Sequence, residues 1–587
     1  VMTTEIADEL RLFLILAAVA TLLVLLLLLR SVFPVITSLA VVTIAVMWTL
    51  GTIEWLGYQI TILTGLIPPL VVVISITNCV YLLNKYHIEY VKHGNKIKAL
   101  TRVIEKIGLA TMFTNLTAAI GFGVFYFTKS QILKEFGLVA GLNIVGIFVI
   151  SIILIPGIYS FLPEPKEKHT NYLENKVLNA ILRRLEHLVH YQRKWIFLGT
   201  GTIVVIALIG CLRLQTTGYI VDDIPHGDKI YTDLKFFERN FHGVMPLEIL
   251  VDTKKKGGVL SPQRLKKIDQ LQDTLARFPE FSRPLSIVEG IKFIRQCYYN
   301  GDSADYQLPN EMERPFIFSY LGNTKDTTHL LSAFLDSSRQ VARLTMSMAD
   351  IGTTKMNVLM KKLEPKIYSV LDTSKYKVTI TGASVIFLEG NQYIIQGLTS
   401  SLILAFFLIA ICMGYLFRSW RMIIFSLIPN LIPLIITAGI MGYFGIPLKP
   451  STVLIFSIAF GIAIDNAIRF LAKYQQELHR HNWDVTKTVS MALYEAGISI
   501  IYTSIILFFG FIIFTLSHFG GTFYLGLLTS ITLVVAMFNN LLLLPSLLLA
   551  LRNWVDRGTL KQLTPADEID MIEEGEEAPA AIIHDEH

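Results

Sequence analysis

The segment GIAIDNAIRF, residues 461–470, lies inside a run of apolar residues that extends over 451–472. A charged side chain near the centre of a bilayer costs at least ~2.5 kcal/mol on insertion scales, so such residues are usually turned inward and functional. Asp465 lies 14 residues into this run, and Arg469 follows about one helical turn later. The segment therefore predicts a membrane-spanning helix with a polar site on one face.

The whole chain has the composition of a membrane protein. Of its 587 residues, 53% are hydrophobic and only 17% are charged, whereas soluble domains average about 25% charged residues. A helix of roughly 17 to 25 apolar residues spans a bilayer, and eleven segments meet this requirement. The predicted spans are residues 12–29, 32–50, 62–83, 108–127, 137–161, 195–212, 398–417, 422–444, 451–472, 496–516 and 523–550.

The distribution of basic residues predicts the orientation. If alternate loops share one side of the membrane, one side carries 22 Lys and Arg residues and the short loops of the other side carry three. Cytoplasmic loops are the ones enriched in Lys and Arg. We therefore expect residues 213–397 to be extracytoplasmic and the acidic tail, residues 552–587, to be cytoplasmic.

The two five-span blocks are copies of one unit. A shift of 388 residues, which becomes 389 after one insertion, aligns identical residues across five spans. Since the paired loops fall on the same side, this is a parallel repeat with an axis along the membrane normal, as in transporters. The aligned pairs include Arg30 with Arg418, Gly51 with Gly439, Thr64 with Thr452, Asn78 with Asn466, Gly108 with Gly497, Gly121 with Gly510 and Pro156 with Pro545.

The second copy is preceded by a lone span and a soluble region that the first copy lacks. Projected back by the repeat shift, their counterparts would lie about 190 residues before Val1. We expect an N-terminal truncation of a twelve-span protein; the alternative is a true start at Val1 or Met2. The predicted order is a five-span block over 1–162, a cytoplasmic linker with an amphipathic basic helix over 163–194, a span over 195–212, a soluble domain over 213–397, a second block over 398–551 and the tail over 552–587.

The soluble region has a mixed α/β pattern. Alternating β-branched and apolar residues predict strands over 247–253, 342–350 and 375–382. Helical spacing predicts helices over 261–278, with a Ser cap and a Pro in the first turn, and over 353–371. Strand, helix, strand, strand, helix, strand is the split βαβ pattern that we expect here.

The order of spans, the soluble α/β domain and the GxxxD motif from Gly461 to Asp465 together resemble the RND superfamily, in particular its MMPL-like branch. The resemblance covers the chain apart from the tail and extends distantly to Patched and other sterol-sensing proteins. It implies a proton-driven exporter of hydrophobic or amphiphilic, lipid-like compounds in the inner membrane. It implies the proton motive force in place of a cofactor, and membrane lipids, periplasmic partners or a homo-oligomer as partners.

Asp465 is the predicted proton carrier. Burial of a carboxylate favours its neutral form, and we expect Asn466 to serve as a hydrogen-bond partner. The alternative is a permanent ion pair with Arg469, four residues further on the same helix face. Arg469 itself has two interpretations: it moderates Asp465, or it extends to the inner interface beside Lys473.

The first copy lacks the carboxylate, since Thr77 and Asn78 occupy the positions of Asp465 and Asn466. By resemblance, Thr503 and Ser504 in the next span are relay partners; the alternative is that they pack helices and bond their own backbone.

Several function classes are disfavoured. The chain has no GxxxxGK[ST] motif for ATP, no His/Cys cluster for a metal, no basic-aromatic pattern for nucleic acid and no enzyme motif. Two rivals to an exporter remain: a sterol-sensing-like sensor without transport, and a SecD/SecF-like accessory to protein export.

Overall fold

A computed structural model describes residues 2–29, 31–165, 176–214, 216–219, 227–322, 333–481 and 483–552. The chain divides into two compact units. The membrane unit comprises Val1–Gln215 and Ile394–His587, and the α/β unit comprises Thr216–Tyr393. The predicted tail, beyond its first residue, and residues 166–175 of the predicted linker lie outside the described residues.

The elements are numbered here in chain order. The first helices are α1 (Met2–Leu29), α2 (Val32–Trp55), α3 (Ile62–Gly65), α4 (Ile67–His93), α5 (Lys96–Arg102), α6 (Gly108–Gly123), α7 (Gln131–Phe161), α8 (Lys176–Tyr191) and α9 (Arg193–Cys211). The α/β unit contains α10 (Lys229–Phe241), β1 (Met245–Asp252), α11 (Pro262–Leu275), α12 (Ile287–Tyr298), α13 (Arg314–Gly322), β2 (Val341–Met348), α14 (Thr353–Val370) and β3 (Lys377–Thr381). The last helices are α15 (Ala383–Phe417), α16 (Trp420–Phe444), α17 (Pro450–Arg480), α18 (Val485–Ile512), α19 (Gly520–Phe538) and α20 (Leu544–Ala550).

Eleven helical segments within the described residues are long and apolar enough to cross a bilayer, which confirms the predicted polytopic helical class. The largest boundary difference is at α15, which begins 15 residues before the predicted span at 398. Its first turns carry the polar residues Glu389 and Asn391. Their polarity placed the start of the predicted span after them, but polar residues of these types do not interrupt a helix. The predicted boundary at residue 397 therefore falls inside one continuous helix.

The internal repeat is visible in the backbone. Helix α6 ends in a 3-10 turn over Val124–Phe127, and α18 ends in one over Ile513–Leu516, 389 residues later. Thr64 and Thr452, which are also equivalent, each cap the start of a helix and bond a carbonyl five residues back, at 3.0 and 3.1 Å. The same local signals thus produce the same helix breaks in both copies.

The equivalent helices α4 and α17 lie at the centre of the membrane unit. Every residue of α4 from Ile67 to His87 is buried. Helix α17 packs against α6 of the other copy, and α4 packs against α18. The two copies therefore interlock through their central helices, and the polar groups of α4 between Ile67 and His87 are removed from lipid.

Close approach of α6 and α17 depends on two glycines. A Cβ built on Gly461 would lie 3.2 Å from the Cα of Gly121, and small residues of this kind let helix backbones approach in membranes. At the equivalent contact, Val73 of α4 packs against Gly510 of α18. The GxxxD glycine therefore has a packing role, and the two equivalent interfaces differ by one side chain.

The α/β unit is built around an antiparallel three-stranded sheet of order β2-β1-β3. Strands β2 and β3 both pair with β1, with Ile249 opposite Leu344 on one side and Ile380 on the other. Because β1 separates two parallel strands that α14 connects, β2, α14 and β3 form the predicted split βαβ unit. The predicted pattern has four strands, whereas the described residues of this unit contain three.

Candidate functional site in the membrane unit

Asp465 and Arg469 form a bidentate ion pair within α17. Arg469 donates from Nε to Asp465 Oδ1 at 2.7 Å and from Nη2 to Oδ2 at 2.6 Å. The side chain of Arg469 is 1% exposed and that of Asp465 is 16% exposed. The guanidinium is turned back toward Asp465 and does not extend to the interface beside Lys473. The contact is the one that a permanent ion pair would have.

The other side of the guanidinium is covered by an aromatic ring from the first copy. The Cζ atom of Arg469 lies 3.8 Å from the ring centroid of Tyr81 on α4, which is close cation-π contact. Residues 81 and 469 are related by the repeat shift of 388. Equivalent residues of two copies can touch each other only near the axis that relates the copies. The ion pair is therefore placed where the two repeats meet.

The guanidinium is not fully satisfied. Arg469 Nη1 is buried and has no hydrogen-bond partner among the described residues. An unmade hydrogen bond to a buried charged group costs more than about 1 to 3 kcal/mol. The pair is thus held by two good hydrogen bonds and one ring contact, and the two N–H groups of Nη1 are unused.

A second pair of polar contacts follows the repeat. Asn466 Nδ2 donates to Ser504 Oγ at 3.3 Å, joining α17 to α18. In the first copy, Asn78 Nδ2 donates to Asn115 Oδ1 at 2.6 Å, joining α4 to α6. Since Asn115 is equivalent to Ser504, the two contacts are symmetric counterparts. Asn466 thus bonds Ser504 of the neighbouring helix.

The side-chain hydroxyls of Thr503 and Thr77 bond the backbone of their own helices. Thr503 Oγ1 donates to the carbonyls of Ser499 and Ile500, and Thr77 Oγ1 donates to the carbonyl of Ile74. This is the backbone bonding expected of helix-packing hydroxyls. The structure therefore brings Asn466 and Ser504 together, and Thr503 and Thr77 bond backbone carbonyls nearby.

Comparison with known proteins assigns the chain to a family. The sequence pattern of the MMPL family matches residues 261–565, a little over half of the chain. The chain belongs to the MMPL family. The pattern of the sterol-sensing domain of SREBP cleavage-activation matches residues 29–170 of this MMPL protein, which include the last four spans of the first five-span block. Together the two matches support membership of the RND/MMPL-like superfamily, with a resemblance to Patched.

This MMPL protein is also similar to the putative membrane protein MJ1562 of Methanocaldococcus jannaschii. The two are 22% identical over 384 residues, which cover 63% of this chain and 94% of the relative. This similarity to a putative membrane protein agrees with the family match.

Two residues of the site were not among the sequence predictions. Tyr81 and Asn115 carry no motif of their own, and each is an ordinary helix residue by type. The repeat supplied the missing signal, because Tyr81 is the counterpart of Arg469 and Asn115 is the counterpart of Ser504. Projecting each predicted polar position into the other copy would have found both.

Proposed function

We propose that this protein is a proton-driven exporter of hydrophobic or amphiphilic, lipid-like compounds, with Asp465 as the group that takes up and releases the proton. The observation that carries the proposal is the partly buried Asp465–Arg469 pair at the contact between the two repeats. Ionisable residues inside a membrane usually mark ion or proton pathways. A group at this contact is also placed to influence both halves at once.

Protonation of Asp465 would remove the partner of a buried cation. Breaking a buried ion pair on one side costs about 3 to 5 kcal/mol, so Arg469 would have to find new contacts and the packing of α17 against α4 would change. A proton crossing a potential of about 100 mV releases about 2.3 kcal/mol. The two free energies are of the same order, as a reversible coupling step requires.

The proposed location and orientation in the membrane follow from the distribution of charge and from the family. We propose an inner-membrane protein whose α/β unit is extracytoplasmic, because the basic residues concentrate in the opposite loops. The proton motive force would take the place of a cofactor. The first copy carries Thr77 in place of the carboxylate, so this coupling would use one carboxylate site per chain.

The second candidate is a sterol-sensing-like receptor without transport. It is favoured by the sterol-sensing match over residues 29–170 and by the absence of a carboxylate at position 77. In that case the Asp465–Arg469 pair would be a fixed structural contact. The two candidates therefore differ in whether Asp465 changes protonation in the folded protein.

Infrared titration of the purified protein in lipid vesicles separates the two without knowledge of the substrate. An exporter predicts a protonated-carboxyl C=O band that appears as the pH is lowered from about 9 to about 5 and is absent in Asp465→Asn. Glu105→Gln, which removes an exposed carboxylate of the same bundle, serves as the matched control and should keep the band. A carboxylate that stays ionised over this range refutes the proton-carrier role and favours the receptor.

Transport is then measured in vesicles with an imposed pH gradient and a fluorescent fatty-acyl probe. We expect gradient-dependent movement of the probe with the wild-type protein and with Glu105→Gln, and none with Asp465→Asn. Transport by Asp465→Asn at the wild-type rate would also refute the proposal.

A further inference from the structure

Charged groups continue from the ion pair toward one end of the membrane unit. Residues at four-residue steps lie on one face of a helix, and both central helices carry such a row. On α17 the row is Asp465, Arg469, Lys473 and Glu477, and on α4 the equivalent row is Thr77, Tyr81, Lys85 and Glu89.

The two equivalent lysines have different surroundings. Lys473 Nζ lies 2.7 Å from Glu477 Oε1 and 2.6 Å from Glu495 Oε2 of α18. Lys85 is only 8% exposed, and no hydrogen bond or ion pair joins it to any described residue. Lys473 thus pairs with both Glu477 and Glu495, and its counterpart Lys85 is a buried lysine with no carboxylate within ion-pair distance among the described residues.

The groups that face Lys85 are of mixed charge. They are Lys473 and Arg469 of α17, Glu495 of α18 and Glu89 of its own helix. The Lys85 amine is thus enclosed by groups that repel its charge and groups that attract it. This is the environment in which lysines act as proton acceptors and donors.

Arg469 is the least accessible charged group of this row. The side chain of Glu495 is 32% exposed, that of Lys473 is 10% exposed, that of Arg469 is 1% exposed and that of Asp465 is 16% exposed. Arg469, seated against Tyr81, therefore lies between Asp465 and the cluster around Lys85. Asp465 and Lys473 are eight positions apart on α17, or about 12 Å along the helix axis, so water would have to carry the proton over this distance once Arg469 has moved.

We propose that Lys85 is a second proton-exchange residue, which passes protons between Asp465 and the aqueous phase at the end of the bundle where α4 and α17 finish. In this step the Lys85 ammonium loses a proton through water to the Asp465 carboxylate. The products are a neutral amine and a neutral carboxylic acid, and the amine then regains a proton from the aqueous phase. The inference rests on the proposed function, because it requires that Asp465 change protonation.

The test compares Lys85→Met with Lys85→Arg. Arginine keeps the positive charge but does not release its proton in proteins, so it separates proton exchange from a purely electrostatic role. Lys487→Met, which removes a lysine side chain that is 73% exposed, is the matched control. Thermal unfolding of each variant checks folding, and Lys85→Met should be no less stable than wild type because it removes a buried charge without a close partner.

The measurement is the rate at which the infrared band of protonated Asp465 appears after a rapid pH drop. We expect both Lys85 variants to slow this rate at least about tenfold, since positioned proton donors typically contribute about 10²- to 10⁴-fold. The final band intensity should remain, and Lys487→Met should match wild type. If Lys85→Met keeps the wild-type rate, or if only Lys85→Arg keeps it, the role of Lys85 is overturned. Either result leaves Asp465 as the proton carrier. A wild-type protein without a titrating Asp465 band refutes the proposed function instead.

Discussion

Alanine at position 121 tests whether the Gly121–Gly461 contact sets the distance between the repeats. A Cβ at this position lies 3.0 Å from the Cα of Gly461 and 3.1 Å from the carbonyl oxygen of Ser457. Carbon atoms in good contact are about 3.5 to 4.0 Å apart. Both neighbours are backbone atoms of α17, so a side-chain rotation cannot relieve the contact and the helix itself must move.

The magnitude follows from two opposing effects. Overpacking of a well-packed interior by one methyl group costs about 1 to 3 kcal/mol. Replacing glycine by alanine inside a helix returns about 0.5 to 1 kcal/mol. We therefore expect Gly121→Ala to lower the free energy of unfolding by about 0.5 to 2 kcal/mol.

Gly123→Ala is the matched control, because it lies on the same helix α6 and its Cβ would meet nothing within 4 Å. It should leave stability unchanged or raise it by up to about 1 kcal/mol. The assay is unfolding of the purified variants in mixed micelles with increasing denaturing detergent, followed by tryptophan fluorescence. Equal midpoints for Gly121→Ala and Gly123→Ala would refute the inferred close contact between α6 and α17.

Three further predictions concern charged and amide pairs. Asp465→Asn should cost about 3 to 5 kcal/mol, because it leaves Arg469 charged and unpaired; in the same unfolding assay the double variant Asp465→Asn/Arg469→Gln should recover most of this loss, and a double variant as unstable as the single one would contradict the pairing. In the α/β unit, the hydrogen bond from Arg295 lowers the pKa of Glu313 from 4.5 to about 2, so the stability that this pair contributes is complete above about pH 4.5 and is lost as the pH falls toward 2. Glu313→Gln should weaken this acid sensitivity in a circular-dichroism titration, and an unchanged titration would argue against the pair. Asn115→Val should cost about 1 to 3 kcal/mol of unfolding free energy by leaving its buried amide partner unbonded, and a neutral effect would argue against the contact.

Sequence periodicity was sufficient for the membrane helices because an apolar helix in lipid satisfies its own backbone. The repeat shift likewise aligned Thr64 with Thr452, and the structure places both at the start of equivalent helices. Hydrophobicity predicted helix boundaries less well where a helix contains polar residues. The first turns of α15 are an example, because they are helical but not apolar. Prediction was also weaker for strand number in the α/β unit.

The candidate site shows the same division. The cost of placing a carboxylate in a membrane made Asp465 conspicuous, and the spacing of four residues made Arg469 a candidate partner. Sequence reasoning left open whether Arg469 would turn to Asp465 or to the interface, because both directions satisfy helix geometry. The tertiary structure decides this by burying the guanidinium against Tyr81.

The sequence by itself determined the membrane class, the duplicated architecture and the carboxylate of Asp465 within an apolar run, because each of these follows from local hydrophobicity and from the chain's similarity to itself. Only the tertiary structure decided which side chains meet across the repeats: Tyr81 with Arg469, Gly121 with Gly461, and Lys473 with the carboxylates that Lys85 lacks. These contacts depend on how α4 and α17 pack, and packing joins residues that lie hundreds of positions apart in the chain.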